Sequence, residues 1–367
     1  MGGLVVPDTI RRVLSFNDVL LVPRNSELSH LTDANIKVEY SKAPSPFTSY
    51  PICNAPMDKV VSVKLLKYLN DVMDMPITIH RWFNSAEEQI QFFESCNLKN
   101  NLQHCFFAVG IVDKWKNWID ALREYREKYG VCYGILVDTA NGDTKASVET
   151  VKYVRDTFNA TTNIMAGNCA TRSGFARLQD AGANFIRCGV GGGSCCETRT
   201  VTGMGVPTLT TVLDCAKVKD TAYLISDGGI ETPGDICKAM AAGADMAMLG
   251  KMLAATSDSG GAKCDVDGNI TENESEYTYV QYSGMASKEA IRKLGSKKSS
   301  VSVEGVSGLI PYTGPTEDVV TGILGNMRSS VAYYGGCRSW DEFRRKIKIV
   351  EITSAGWNES LTRVKIL

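Results

Sequence analysis

AYLISDGGIETPGDICKAMAAGADMAMLG, residues 222–250, carries the reading that decides the fold. An apolar run stops at Asp-Gly-Gly. A helical pattern then opens on a threonine, TPGDICKAMAAGA, and a second apolar run, MAMLG, follows at once. Strand, glycine turn, capped helix and strand is a β-α-β unit, and its two strands run parallel because the helix carries the chain back to the edge it left.

The same beat extends in both directions. Apolar runs ending at Gly, Asp, Asn or a polar cluster occur as PICNAPM (51–57), PITIH (76–80), CFFAVGI (105–111), CYGILVD (132–138), TNIMAGN (162–168) and NFIRCGV (184–190), before AYLISDG (222–228) and MAMLG (246–250). Between them lie helical patterns such as SAEEQIQFFESC, WKNWIDALREYREKYG, ASVETVKYVRDTF and TLTTVLDCAKV. A doubly wound open sheet uses the same alternation but rarely needs eight consecutive units. Eight of them describe an α/β fold of the (β/α)8 TIM-barrel type.

The beat breaks after the eighth strand. Residues 251–316 are polar and rich in Gly and Ser, with a hairpin-like CDVDGNIT and the tract LGSKKSSVSVEGVSG, before EDVVTGILGNMRSSVAYYG resumes as the last helix. An insertion in the last β-α connection stands over the mouth of a barrel and reads as a lid or flap. The expectation is one catalytic barrel over residues 1–367 that includes this flap, with the first 45 or so residues closing the lower end.

Composition narrows the class. The 367 residues are 44% hydrophobic and 22% charged, and 40 Lys plus Arg face 41 Asp plus Glu, so no global field argues for nucleic acid or an anionic membrane. No apolar run approaches a membrane span, and MGGLVVPDTIRR lacks the layout of a signal peptide. Twelve cysteines scattered through strand-like segments, with no C-x-x-C pair, favour reduced thiols and a cytoplasmic setting. His30, His80 and His104 lie far apart and offer no metal-ligand spacing.

In a barrel the chemistry sits where the strands end. Those ends here read Asn-Ala-Pro-Met-Asp (54–58), Ile-His-Arg (79–81), Asp-Thr-Ala-Asn-Gly (138–142), Ala-Gly-Asn (166–168), Ser-Asp-Gly-Gly (226–229) and Leu-Gly-Lys (249–251). Gly228, Gly229 and Gly250 suit phosphate binding through backbone N–H groups, and Ser194 adds a hydroxyl. Asp227 is placed to accept the hydroxyls of a ribose, and Asp138 those of a second one. After the sixth strand, GVGGGSCCETR (189–199) sets two thiols behind a glycine run whose N–H groups would stabilise a thiolate. Spacing leaves open which of Cys195 and Cys196 faces inward.

These segments resemble the IMP dehydrogenase/GMP reductase family along nearly the whole chain: SFNDVLLVP (15–23), NAPMD, DTANG, IMAGN, GVGGGSCCETR, SDGGIETPGDICKAMAAGAD and YSGMAS (282–287). The resemblance implies a purine-nucleotide oxidoreductase, usually a homotetramer, that works through a covalent cysteine adduct. Laid on the family loop, Cys196 is the nucleophile and Thr198 assists the leaving group. Ser194, Gly228, Gly229, Gly250, Lys251, Tyr282, Gly284, Met285 and Gly305 fall on the substrate side, with Asp227 on the ribose. Arg81, Asp138, Thr139, Ala140 and Asn141 belong to the cofactor side, and the carbonyls of Gly191, Gly193 and Cys196 to a potassium site.

The region between YSGMAS and VEGVSG carries no Arg-Tyr pair of the kind dehydrogenases use to activate water, and no regulatory domain interrupts the barrel between strands two and three. Glu304 aligns with a carboxylate that reductases pair with the threonine. The resemblance therefore points to NADPH-dependent reduction of GMP to IMP and ammonia. Its alternatives are an IMP dehydrogenase with an atypical flap and a purine-nucleotide-binding barrel without turnover. Glu197, Lys251 and Ala286 depart from the family's usual residues.

Overall fold

The computed structural model describes residues 10–99, 102–111, 114–158, 160–284, 286–288 and 303–362. All eight expected strands form: β1 (Ile52–Asn54), β2 (Ile77–Ile79), β3 (Cys105–Val109), β4 (Gly134–Asp138), β5 (Ile164–Cys169), β6 (Phe185–Cys188), β7 (Tyr223–Asp227) and β8 (Met246–Leu249). They lie in one sheet in which each pairs in parallel with the next in sequence from β2 to β8, and β8 pairs with β1.

Only the β1–β2 seam lacks a strand ladder, and one side chain closes it. The Asn54 amide accepts from Thr78 N–H at 2.9 Å and donates to Thr78 carbonyl oxygen at 2.9 Å, while Thr78 Oγ1 donates to Asn54 carbonyl oxygen at 2.8 Å. A side-chain amide thus does the work of a neighbouring peptide and satisfies buried groups that would otherwise have no partner.

The helices that alternate with the strands are α1 (Val63–Lys67, continuing as a wider turn to Val72), α2 (Ala86–Cys96), α3 (Lys114–Tyr129), α4 (Lys145–Phe158), α5 (Arg172–Asp180), α6 (Thr208–Cys215), α7 (Pro233–Ala241) and α8 (Thr316–Arg328). Their starts follow from the sequence. Ser62, Ser85, Thr171 and Thr232 each accept an N–H of the first turn. At α7, Pro233 takes a first position where no N–H is needed, and Asp235 closes a capping box with Thr232.

Alternation along the strands divides the core into two layers. Phe106, Ala108, Leu136, Met165, Phe185, Ile225, Met246 and Met248 fill the barrel interior, and Phe107, Ile135, Ile164, Ile186, Leu224 and Ala247 face the helices. A short hairpin, Val38–Glu39 with Thr48–Ser49, pushes Tyr40 and Phe47 into the lower end with ring centroids 4.6 Å apart. The residues ahead of β1 therefore plug the barrel as expected.

The described part of the insertion after β8 is a three-stranded antiparallel sheet of β9 (Lys263–Cys264), β10 (Tyr279–Ser283) and β11 (Ser307–Pro311). The buried Lys263 ammonium anchors its base, donating to the Ser259 and Gly261 carbonyls and to Ser259 Oγ. Among the described residues no helix is long and apolar enough to cross a membrane.

Candidate active site

The loop after β6 lies directly on β7. A Cβ at Gly189 would stand 1.9 Å from the Asp227 carbonyl oxygen, and its φ of +146° is one that L side chains rarely adopt, so only glycine lets the chain pass there. Beyond it the loop tightens, with Cys196 N–H donating to the Gly193 carbonyl at 3.0 Å, and the short helix Thr198–Thr202 begins.

The flap holds this loop from above. Glu197 N–H donates to the Glu304 carbonyl at 2.7 Å, Val306 N–H to the Cys195 carbonyl at 3.1 Å, and Gly284 N–H to the Val306 carbonyl at 2.9 Å. Gly305 bridges Cys196 on one side and Ser287 on the other. Backbone hydrogen bonds thus fix the Glu304 side chain beside the thiol loop.

The docked flap sets the two cysteines in different surroundings. Cys196 is exposed, with Sγ 3.1 Å from Thr198 Oγ1, and the Thr198 hydroxyl donates at 2.8 Å to Glu304 Oε2. Cys195 is half-buried, and desolvation pushes its thiol up to about 11, so it stays protonated at neutral pH. Of the pair, Cys196 is thus the exposed thiol and the one beside the Thr198 hydroxyl.

Deeper in the mouth, one guanidinium ties together the two carboxylates singled out for ribose. Arg187, on β6, lies 2.5 Å from Asp138 Oδ1 and 2.9 Å from Asp227 Oδ2. Arg81 holds the other Asp138 oxygen at 3.1 Å, and Asn168 Nδ2 donates to Asp227 Oδ2 at 2.7 Å. Burial alone would raise the Asp138 carboxyl, but Arg187 and Arg81 hold it below the usual carboxylate range. Desolvation works against the charge on Arg187, and the two carboxylates more than offset it. Asp227 Oδ1 has no partner among the described residues.

Two connected cavities follow from this arrangement. The larger, about 250 Å³, runs from Arg81, Asp138, Thr139 and Ala140 past Cys196, Thr198 and Glu304 to Asp227. The smaller, about 80 Å³, is walled by Gly193, Ser194, Gly229, Gly250, Lys251 and Tyr282, and it shares Ser194, Asp227, Gly228 and Tyr282 with the first. A Cβ at Gly250 would stand 2.8 Å from Tyr282 Oη, so the missing side chain lets the phenol close this end. Glycine turns, the Ser194 hydroxyl, the Tyr282 phenol and Lys251 line it together with the carboxylates of Asp227 and Glu231.

The structure therefore gathers Cys196, Thr198, Glu304, Ser194, Asp227, Gly228, Tyr282, Gly284, Arg81, Asp138, Thr139 and Ala140 around one cavity, with Gly229, Gly250 and Lys251 in the adjoining pocket. Gly305 lies under Cys196 rather than on the cavity wall. Asn141 is not on that wall either, and its Oδ1 caps Asp143 N–H at 3.1 Å. Met285 is outside the described residues. The Gly193 carbonyl of the expected potassium set already accepts the Cys196 N–H, so a cation there would share that oxygen. Sequence reasoning did not single out Arg187, and it placed Asn168 at the end of the fifth strand without giving it a role. An arginine inside the apolar run NFIRCGV was the available signal, because a buried guanidinium requires carboxylate partners.

The family model described as IMP dehydrogenase / GMP reductase domain matches residues 13–363. The human protein named GMP reductase 2 is 33% identical over 345 residues, covering 93% of this chain and 94% of its own length. The GMP reductase of Tolumonas auensis is 32% identical over 333 residues, 89% of this chain and 91% of its own. The inosine-5'-monophosphate dehydrogenase of Halalkalibacterium halodurans is 40% identical over 235 residues, but that match covers 62% of this chain and spans only about half, 46%, of the dehydrogenase. The chain belongs to the IMP dehydrogenase / GMP reductase family and is an oxidoreductase of the purine-nucleotide class.

Proposed function

We propose that this family member reduces GMP to IMP and ammonia with NADPH. The observation that carries the reading is the run from Cys196 Sγ through Thr198 Oγ1 to Glu304 Oε2, with steps of 3.1 and 2.8 Å. It ends in a carboxylate able to return a proton to a departing amine, which is what deamination needs, since ammonia leaves only when protonated. Hydrolysis of an adduct to XMP would instead need a group that activates water.

The residues act in order. Cys196 passes its proton through Thr198 to Glu304, and its sulfur attacks the purine C2 that bears the exocyclic amine. Glu304, through Thr198, gives that proton to the amine as the C2–N bond breaks and ammonia departs. The cofactor, when bound, supplies hydride to C2. The C–S bond then breaks, its electron pair returns to Cys196 as thiolate, and IMP is released. Asp227 holds the ribose through its free oxygen. The smaller pocket around Ser194, Gly229, Gly250 and Tyr282 takes the 5′-phosphate, where Lys251 supplies positive charge opposite the Glu231 carboxylate on the same wall.

The wall formed by Arg81, Asp138, Thr139 and Ala140 borders the same cavity as Cys196, so it would hold the nicotinamide half against the adduct. The flap, whose segment ahead of β11 carries Glu304, acts as the lid, excluding water that would otherwise hydrolyse the intermediate. The homotetramer and the cytoplasmic setting belong to the same proposal and rest on the family.

The test is the near-ultraviolet absorbance of reduced nicotinamide in two parallel mixtures. Loss of signal with GMP and NADPH, with ammonia formed and no activity in Cys196→Ala, is the expected result. A rise with IMP and NAD⁺, with XMP as product, would replace this reading by the dehydrogenase.

A further inference from the structure

Three thiols that no spacing motif connects meet beneath the catalytic loop. Cys169 ends β5, Cys188 ends β6 and Cys215 ends α6, and their sulfurs all lie within 4.8 Å of one another. Cys169 and Cys188 are register partners on adjacent strands, with Sγ atoms 3.8 Å apart. All three are free and fully buried in the apolar layer between sheet and helices. No imidazole or carboxylate joins them among the described residues, so the donor set is three soft sulfurs alone.

Such a set selects thiophilic ions. Within that class, net charge decides, because an apolar interior penalises an uncompensated charge heavily. Three thiolates leave a divalent ion at one negative charge and still short of the fourth ligand a tetrahedral site wants. They leave a monovalent ion at two negative charges. A trivalent centre such as arsenic(III) becomes neutral with three thiolates, and its lone pair occupies the fourth direction.

We propose that Cys169, Cys188 and Cys215 form a three-thiolate binding site for a trivalent thiophilic ion of the arsenic(III) type. Arsenous acid, As(OH)₃, exchanges its three hydroxyls for three sulfurs. Each thiol proton leaves with a hydroxyl as water, three waters in all, and nothing is oxidised or reduced. The ion cross-links β5, β6 and α6 at a sensitive place. Cys188 directly precedes Gly189, and Cys169 directly follows Asn168, which hydrogen-bonds both the Gly189 carbonyl and Asp227. Occupancy at the triad therefore bears on the nucleophile loop without touching Cys196.

The test is titration of the full chain with arsenite in a Cys195→Ala/Cys196→Ala background, which removes the adjacent thiol pair at the surface. One equivalent binds, seen as sulfur-to-arsenic absorption in the ultraviolet and a rise in the unfolding temperature. Cys215→Ala or Cys188→Val, with unchanged circular dichroism, weakens binding by more than about 100-fold, since each removes a direct ligand. X-ray absorption on the loaded protein, which needs no variant of the triad, counts three sulfur neighbours. Two sulfurs, undiminished binding in folded Cys215→Ala, no binding even after refolding in arsenite, or equally tight binding of Zn²⁺ at the triad would each overturn the proposal.

Discussion

The Thr198 hydroxyl donates a 2.8 Å hydrogen bond to Glu304 Oε2 across 106 positions of sequence. One partner sits on the loop after β6 and the other on the flap, so the proton path exists only when the flap is docked. Glu304→Gln keeps the shape and removes the proton that the departing amine needs. Turnover of GMP should fall by roughly 10²- to 10⁴-fold, the usual worth of a positioned acid or base, with little change in KM for GMP. Ammonia release and NADPH oxidation, measured together, check it. A variant that keeps more than a tenth of wild-type turnover would remove Glu304 from the proposed relay.

The barrel was legible because the strand runs stop at glycines or polar residues and four of the helices open on their own Ser or Thr cap, as Thr232 and Asp235 show for α7. Those are local signals, and they survive folding unchanged. The site was legible in the residues alone where they sit at a barrel strand end, and on the flap, at Tyr282 and Glu304, only through the family resemblance. Arg187 lies inside a strand and bridges Asp138 and Asp227 from sequence distances of 49 and 40, so its role depends on closure of the barrel. The Cys169, Cys188 and Cys215 triad is of the same kind, since two strands and a helix must pack before it exists.

Arg187→Met should show what that closure costs. It leaves buried Asp138 with Arg81 alone and Asp227 with Asn168 alone, and removal of one partner from a buried ion pair typically costs about 3–5 kcal/mol, the upper bound here because those partners remain. Arg187→Lys should fall between, keeping the charge but losing the planar fork that reaches both acids. Asp138 has a folded pKa below its unfolded value, so its contribution is present above the unfolded pKa and is lost as pH falls through the folded one. Acid unfolding of Arg187→Met should therefore begin at a higher pH than in the wild type. Urea midpoints at neutral pH and an acid titration followed by circular dichroism measure both effects, and wild-type midpoints in both would refute the coupling.

Asn54→Ala opens the β1–β2 seam. It leaves the N–H and carbonyl of buried Thr78 without the amide that now serves them, at about 1–3 kcal/mol for each unsatisfied group. The expected loss is on the order of 2–6 kcal/mol, and hydrogen exchange at Thr78 should accelerate more than at Phe107 on β3. Uniform acceleration of both amides would mean that the seam is not a local weak point.

His104 gives the protein an acid sensitivity that owes nothing to the active site. The ring is fully buried, and desolvation lowers its pKa to about 4 from an ordinary 6.5. Asn70 Nδ2 lies 3.1 Å from Nε2, an arrangement suited to a neutral ring that accepts at that nitrogen. Because the folded state disfavours the proton, the neutral ring stabilises fully above the unfolded pKa of 6.5, and this stability is lost as pH falls toward 4. At about 1.4 kcal/mol per pH unit the loss between pH 6.5 and 4.5 approaches 2–3 kcal/mol. His104→Gln cannot take up that proton. Its stability, although lower at pH 7, should decline over the same interval by about that much less than the wild type's. Urea midpoints at pH 7 and 4.5 for both proteins decide the point, because an equal drop would place the acid sensitivity in the carboxylates instead.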